Sequence, residues 1–374
     1  MENLKRRLID DPRYRCRREA CLKRPTVFIA LTGHCNLACA YCSTRNVRRE
    51  HRNMDTALAR RIVDQCLAND WPFSFGQTYE PFLHPEVERV IAHVAAGGQL
   101  FSCATNGLAI RKSAYDLPMR LLLSYSATPE DFALRGARLS FAAYREKILG
   151  FLRHRIRRRV SGTIAVQIAD YGIFRDGVDY SKAIGDVDGI VAKTRELAAL
   201  LGLDDAAAPD FRREDIAARR PLVLFADGET VIQVQPTKIM PNSYDAFVPL
   251  ESTAAPRGYC DSCHTMLSIQ ADGTAAFCCC DPTARATAGR ITAETDLREF
   301  WLGPSMSRIR AAFDAFAPAH PFCTQCLANV SEHIKPLLTV VDPGLVAAIL
   351  RDQGVTDDLP WFSFPGEAPG AHGQ

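Results

Sequence analysis

The sequence predicts an α/β fold in which parallel β-α units build one sheet and a cysteine-bearing β-hairpin follows. Two observations carry this. Strand-like and helix-like runs alternate from Val27 to about Val234, the pattern of parallel βαβ units. Ten of the fourteen cysteines fall into three local groups, 35/39/42, 260/263/278/279/280 and 323/326. Scattered disulfide cysteines do not cluster in this way, so metal or redox sites are expected instead.

Along the chain, residues 1–24 are crowded with Arg, Lys, Asp and Glu. They lack the apolar core of a secretory signal and read as a charged leader. Residues 27–31 form a first apolar strand, and 56–67 a helix with Asp55 as its N-cap. A short strand at 73–76 precedes Val87, Val90, Ile91 and Val94, one apolar helical stripe opened by Pro85 and closed by Gly97-Gly98. Residues 100–104, 121–126 and 164–168 read as further strands. Phe141, Tyr144, Ile148 and Leu152 mark one helix, and Ile190, Val191, Thr194, Leu197 and Leu201 another. Residues 231–234 are a sixth strand, and 222–234 can equally form a hairpin on Asp227-Gly228. Residues 204–220 read as a surface insertion and 366–374 as a frayed end. The expected division is 1–25, 26–240, 241–345 and 346–374.

Composition narrows the function. With 374 residues the chain is long enough for about two domains. A net charge of +2 gives no sign of nucleic-acid binding, and no apolar run has the length of a membrane span. A cytoplasmic protein is expected. Cys66 and Cys103 read as buried small hydrophobes; Cys16 and Cys21 have no assignment. The basic run 153–159 lacks interleaved aromatics and reads as a solvated helix end.

Cys35, Cys39 and Cys42 stand in Thr-Gly-His-Cys-Asn-Leu-Ala-Cys-Ala-Tyr-Cys, directly after the first strand. The spacing supplies three thiolates and no fourth. Structural zinc usually takes four ligands from two separated pairs; three close thiolates suit a four-iron, four-sulfur cluster with one open iron. A zinc knuckle is the competing reading. The run resembles the signature of radical S-adenosylmethionine (SAM) enzymes. That resemblance implies a partial (β/α)6 barrel, TIM-like, with its site at the carboxyl ends of the strands. It implies SAM chelated by the open iron and cleaved reductively to a 5′-deoxyadenosyl radical, which takes a hydrogen atom from a substrate. It also implies an electron donor such as flavodoxin or ferredoxin, and a place for Tyr41 beside the adenine.

Further segments resemble the same family. Phe75-Gly76-Gln77-Thr78-Tyr79-Glu80-Pro81 is similar to its Gly-Gly-Glu-Pro segment, which holds the SAM amino group; Glu80 takes that role with Gly76, and Tyr79 stands where glycine is usual. A helix-entry acid is the plainer reading of Glu80. Asn106, in Thr105-Asn106-Gly107, follows the third strand, and Ser124 or Ser126 matches a serine on the SAM ribose or carboxylate. Helix capping is the alternative for either serine. Gln167 matches a SAM-facing position, or is a strand glutamine without ligand. His34 and His84 border the site, and neither is read as a metal ligand.

Cys260 is followed by Gly273 and Cys278, and then by Cys323-x2-Cys326. Residues 267–270 and 274–278 form a hairpin on Ala271-Asp272-Gly273. The arrangement resembles the twitch, or shortened SPASM, extension of radical SAM enzymes, which implies an auxiliary 4Fe-4S cluster on Cys260, Cys278, Cys323 and Cys326. Cys263 is the alternative to Cys260, and a zinc ribbon is the alternative metal site. Strand alternation keeps Cys278, Cys279 and Cys280 from all ligating; Cys279 or Cys280 is a candidate hydrogen donor, or both are packed thiols.

The resemblance implies a radical SAM oxidoreductase acting on a sugar, aminocyclitol or similar metabolite. Epimerisation or modification of a ribosomal peptide is the second expectation. About two dozen residues precede the first strand, too few for a leader-binding domain, which favours a small substrate. Lys238, Asn242 and Tyr244 are candidates for substrate recognition, or ordinary linker residues. A zinc-binding interaction module would account for the Cys-x2-Cys pairs, but not for the segments after the strands.

Overall fold

The computed structural model describes residues 2–40, 42, 52–76, 79–169, 187–203, 215, 220–237, 258–278, 281, 284–318, 320, 322–323, 342–357 and 359. Among them, ten strands form one open sheet: β1 (Thr26–Ile29), β2 (Phe73–Phe75), β3 (Phe101–Thr105), β4 (Met119–Ser124), β5 (Gly162–Ala169), β6 (Leu222–Ala226), β7 (Thr230–Thr237), β8 (Met266–Ile269), β9 (Thr274–Ala276) and β10 (Thr287–Arg290). Their order is β10-β9-β8-β1-β2-β3-β4-β5-β7-β6. The run β1-β2-β3-β4-β5-β7 is parallel throughout. This is the six-stranded partial barrel, an α/β sheet that does not close on itself.

Helices connect the parallel strands: α3 (Thr56–Ala68), α4 (Val87–Ala96), α5 (Pro129–Ala133), α6 (Phe141–Arg158) and α7 (Val187–Leu200). Asp55 caps α3, accepting from the amides of Ala57 and Leu58 at 2.9 and 3.0 Å, a cap worth about 1 kcal/mol. The stripe Val87, Val90, Ile91 and Val94 is fully buried, as its spacing requires. The helix starts at Val87 rather than at Pro85, because the His84 ring accepts from the Glu86 amide at 3.2 Å just before it. Cys66 and Cys103 are buried in the core, as expected.

The two sheet faces differ. Val27, Ile29, Phe75, Phe101, Cys103, Leu121, Leu123, Ile164, Val166, Ile232 and Val234 are fully buried. Their neighbours Phe28, Ser74, Ser102, Ala104, Leu122, Ser124, Ala165, Gln167, Gln233 and Gln235 are half-buried. Alternation along each strand sets this division, and gathers Ser74, Ser102, Ser124, Gln167, Gln233 and Gln235 on the half-buried face.

The hairpin expected over 222–234 is present: β6 and β7 pair antiparallel. β7 is also the sixth parallel strand, so both readings of that segment apply. The second hairpin, β8-β9, joins the barrel sheet directly, since β8 runs parallel to β1. Its outgoing strand stops at Ala276. Cys278 therefore lies beyond the strand, and face alternation does not apply to it. Gly273 has φ +88°, and a Cβ there would lie 2.4 Å from the carbonyl oxygen of Ile291; only glycine fits.

The N-terminus is helical, and the readings of the basic run and of the fourth strand are corrected. The charged leader folds as α1 (Glu2–Asp10) and α2 (Pro12–Lys23), burying Leu8 and Tyr14. In α1, Leu4, Leu8 and Ile9 turn toward the core, a short stripe easily lost among the charged residues. Arg155, inside the basic run, is fully buried. It donates to the carbonyls of Tyr115, Leu117 and Ser161 at 3.2, 2.6 and 2.8 Å, closing loop carbonyls that have no ladder partner. Strand four ends at Ser124, not Ser126. C-terminally, α8 (Ser262–Thr265), α9 (Leu297–Leu302), α10 (Pro304–Asp314) and α11 (Pro343–Asp352) pack around the hairpin and α2. α11 crosses the expected 345/346 boundary and buries Val346, Ala347, Ile349 and Leu350.

Candidate functional site

Cys35, Cys39 and Cys42 lie beyond the carboxyl end of β1. All three are half-buried, and none is in a disulfide. The loop is fastened along its length. Its start is held by Gly33 N donating to Arg52 O at 2.7 Å and Thr32 Oγ1 to Asn53 Oδ1 at 2.7 Å. Glu80 N donates to His34 O at 2.9 Å. Asn106 Nδ2 donates to Asn36 Oδ1 at 2.9 Å. Ala38 N and Ala40 N donate to the carbonyls of Arg135 and Leu134 at 3.1 and 2.7 Å. Segments after β2, β3 and β4 thus converge on one loop. Gly136 seals the contact: its φ is +58°, and a Cβ there would lie 2.9 Å from Ala38 O.

Glu80 stands at the entry of the short helix Pro81–Leu83, as its plainer reading has it. Its carboxylate is fully buried and accepts from Phe82 N (3.2 Å), Thr105 Oγ1 (2.8 Å) and Asn106 N (2.8 Å). Burial pushes its carboxyl up to about 7, against the pull of these three hydrogen bonds. A carboxylate so enclosed ties the β2 and β3 loops together. Asn106 is used likewise: its Oδ1 accepts from Leu108 N at 2.9 Å, while its Nδ2 holds Asn36. Gly76 has φ +67°, with Pro81 Cγ 2.2 Å from a would-be Cβ. Tyr79, at the place usual for glycine, also takes a left-handed backbone, φ +68°, at a cost of about 1–2 kcal/mol for an L-residue.

Ser124 and Gln167 meet at the ends of β4 and β5, where Ser124 Oγ donates to Gln167 Oε1 at 3.2 Å. The register extends the pair: Ser124 is opposite Gln167, and Gln167 opposite Gln235 on β7. Gln235 was missed in sequence because nothing local marks a strand glutamine; the pairing register does. Ser126 is not on this face. It is fully buried, and its Oγ accepts from Arg135 Nε at 2.6 Å. The cap of α5 is Thr128, which accepts from Asp131 N at 3.2 Å. His84 is bonded to protein at both ring nitrogens, Nε2 with Met54 O (2.9 Å) and Nδ1 with Glu86 N (3.2 Å).

Around the C-terminal hairpin, Cys260 is half-buried while Cys263, Cys278 and Cys323 are buried, all outside disulfides. Burial pushes the Cys323 thiol up, and neighbouring Cys260 and Asp281 add to it. The Cys263 thiol lies 3.3 Å from His264 Nδ1 and 3.8 Å from Cys260 O. Tyr41, Lys238, Asn242, Tyr244, Cys279, Cys280 and Cys326 lie outside the described residues. Among the described residues no three His, Cys, Asp or Glu side chains form a group that could hold a metal ion. The fit to iron–sulfur chemistry rests on the donor set: soft thiols in one fastened loop after β1, and a second set of thiols around the hairpin.

Residues 260–327 match the family model named SPASM, described as an iron–sulfur cluster-binding domain. Residues 260–327 are thus similar to that domain. With Cys35, Cys39 and Cys42 behind β1, the SPASM domain makes the chain similar to radical SAM enzymes bearing such an extension. Among solved structures, the chain is similar to BtrN in complex with AdoMet and 2-DOIA, at 14% identity over 78% of this chain and 88% of that one, TM-score 0.42. SuiB of Streptococcus suis bound to S-adenosylmethionine is 17% identical over 77% of this chain and 68% of that one, TM-score 0.48. The anSMEcpe enzyme with bound AdoMet and Cp18Cys peptide is 15% identical over 76% and 82%, TM-score 0.43. No curated protein sequence is matched. No helix among the described residues is long and apolar enough to cross a membrane.

Proposed function

We propose that this chain is a radical SAM enzyme. It cleaves SAM reductively and abstracts a hydrogen atom from a substrate C–H bond, oxidising a sugar, an aminocyclitol or a similar small polar metabolite. The observation that carries the reading is the 35–42 loop, held by three other strand-end segments with its three thiols outside any disulfide. Cys35, Cys39 and Cys42 would hold a 4Fe-4S cluster; Cys260, Cys278, Cys323 and Cys326 would hold the auxiliary one. When bound, the first cluster and SAM supply the one-electron chemistry that the side chains lack.

The chain's own residues position. Glu80, Thr105 and Asn106 lock the β2 and β3 loops against the cysteine loop, and Arg135 and Gly136 close it from the α5 side. Ser124, Gln167, Gln233 and Gln235 offer uncharged donors and acceptors toward the carboxyl ends of β4, β5 and β7. Such groups suit hydroxyl- and amine-bearing ligands, which supports the small polar metabolite. A flavodoxin or ferredoxin would deliver the electron.

Anaerobic reconstitution is the test. About eight irons and eight sulfides per chain are expected, and replacing Cys35, Cys39 and Cys42 by alanine removes about half of the iron and all SAM cleavage. Deuterium passing from a labelled sugar or aminocyclitol into 5′-deoxyadenosine identifies the substrate; passage from a peptide alone replaces the metabolite by a peptide. A colourless, zinc-loaded protein overturns the proposal.

A further inference from the structure

The mechanism above leaves unused a dense buried polar cluster where α2 meets the hairpin-side cysteines. Asp261 follows Cys260 directly and is fully buried. Tyr14, from α2, donates its hydroxyl to Asp261 Oδ2, and Tyr259 donates to Oδ1. Arg18, one turn along α2, donates to Tyr259 Oη at 2.7 Å and to Asp314 Oδ1 at 2.8 Å. His264 Nε2 lies 3.5 Å from the same Asp314 oxygen. The backbone is held as firmly. Asp261 O accepts from His264 N at 2.8 Å and Thr265 Oγ1 at 3.1 Å. Cys263 O accepts from Arg310 Nε at 2.9 Å, and Arg310 Nη2 donates to Trp301 O at 2.7 Å.

The turn 260–263 is thereby fixed at both ends, with Asp261 pulled inward. Cys260 is its immediate neighbour in the chain, and the Cys263 thiol lies 3.3 Å from His264 Nδ1. Two of the anchors, Tyr14 and Arg18, lie about 245 residues upstream in sequence. A buried carboxylate with two tyrosine donors is costly to assemble and strongly directional once assembled. Groups behind a metal ligand set its orientation and commonly change metal affinity 10- to 100-fold when removed.

We propose that Tyr14 and Asp261 are positioning residues for the auxiliary cluster, so that the N-terminal helix α2 is a working part of the cluster-binding domain. The inference rests on the reading of residues 260–327 as that domain.

The test uses full-length protein carrying Cys35→Ala, Cys39→Ala and Cys42→Ala, reconstituted anaerobically so that only the auxiliary site contributes. Iron release to a ferrous chelator and the EPR spectrum of the reduced cluster are compared for Tyr14→Phe, Asp261→Asn and Tyr144→Phe. The last removes another buried tyrosine hydroxyl, on α6. Release is expected to quicken roughly tenfold in Tyr14→Phe and Asp261→Asn, with altered EPR line shape, and to stay unchanged in Tyr144→Phe. Tyr14→Phe decides the matter alone if Asp261→Asn fails to fold. Release and EPR spectra unchanged by Tyr14→Phe overturn the positioning role, as does equal acceleration in Tyr144→Phe. A parent variant that takes up no cluster overturns the auxiliary-cluster reading itself, and is told apart by its iron content before any comparison begins.

Discussion

Replacing Gly136 by alanine presses on the cysteine loop from behind, and the structure gives the size of the push. Gly136 has φ +58°, where an L-residue costs about 1–2 kcal/mol. The new Cβ would stand 2.9 Å from Ala38 O and 3.3 Å from both its carbonyl carbon and its Cβ. Relief needs a shift of roughly half an ångström in the segment between Cys35 and Cys39, and overpacking of this kind costs about 1–3 kcal/mol. The total is about 2–5 kcal/mol. Gly98 supplies the control: φ is +73° and nothing lies within 4 Å of its would-be Cβ. Gly98→Ala carries the backbone cost without the contact. The two variants therefore differ by about 1–3 kcal/mol, roughly 5- to 150-fold in loop occupancy. The assay is SAM cleavage per chain together with iron content, the auxiliary cluster serving as internal reference. Gly136→Ala is expected to lose SAM cleavage and close to half of its iron, Gly98→Ala neither. Equal SAM cleavage in the two variants would refute the claim that this contact holds the loop.

Three more outcomes follow from particular residues. Burial holds the Glu80 carboxyl at about 7 in the folded chain against an ordinary 4.5, so the native state binds more protons between those pH values. Native stability then falls as pH rises from about 4.5 to 7, by about 3 kcal/mol in all, and the loss is complete above 7. Glu80→Gln does not ionise there; urea midpoints at pH 5 and pH 8 should differ less in the variant, and an identical pH dependence contradicts the burial argument. Gly273→Ala drives a Cβ to 2.4 Å from Ile291 O and breaks the Ile291 N to Gly273 O bond of 2.8 Å. About half of the iron should be lost, with the 35–42 cluster retained by EPR; full iron content counts against it. Arg155→Leu leaves three loop carbonyls without their guanidinium and should lower stability by about 3–5 kcal/mol without changing iron content. A denaturation midpoint equal to wild type rejects it.

The sequence by itself determined the parts of this protein that local pattern governs. Strand and helix periods marked the barrel, because a period of two or 3.6 is decided within a few residues. Cysteine spacing marked the 35–42 thiols, since residues that close in sequence must be close in space. The Asp55 cap and the Asp227-Gly228 turn were equally local. Tertiary structure alone decided what those parts do to one another. Glu80 is a buried tie, because its three donors come from Phe82, Thr105 and Asn106, which lie in different parts of the chain. Ser124 and Ser126 are two residues apart and face opposite ways. Gln235 joins Ser124 and Gln167 only through strand register. The charged N-terminus looked like a leader and supplies Tyr14 to a carboxylate 247 positions away. Such pairings leave no trace in spacing or composition, because burial and hydrogen-bond partners are set by where the chain returns in space and not by the residues beside them.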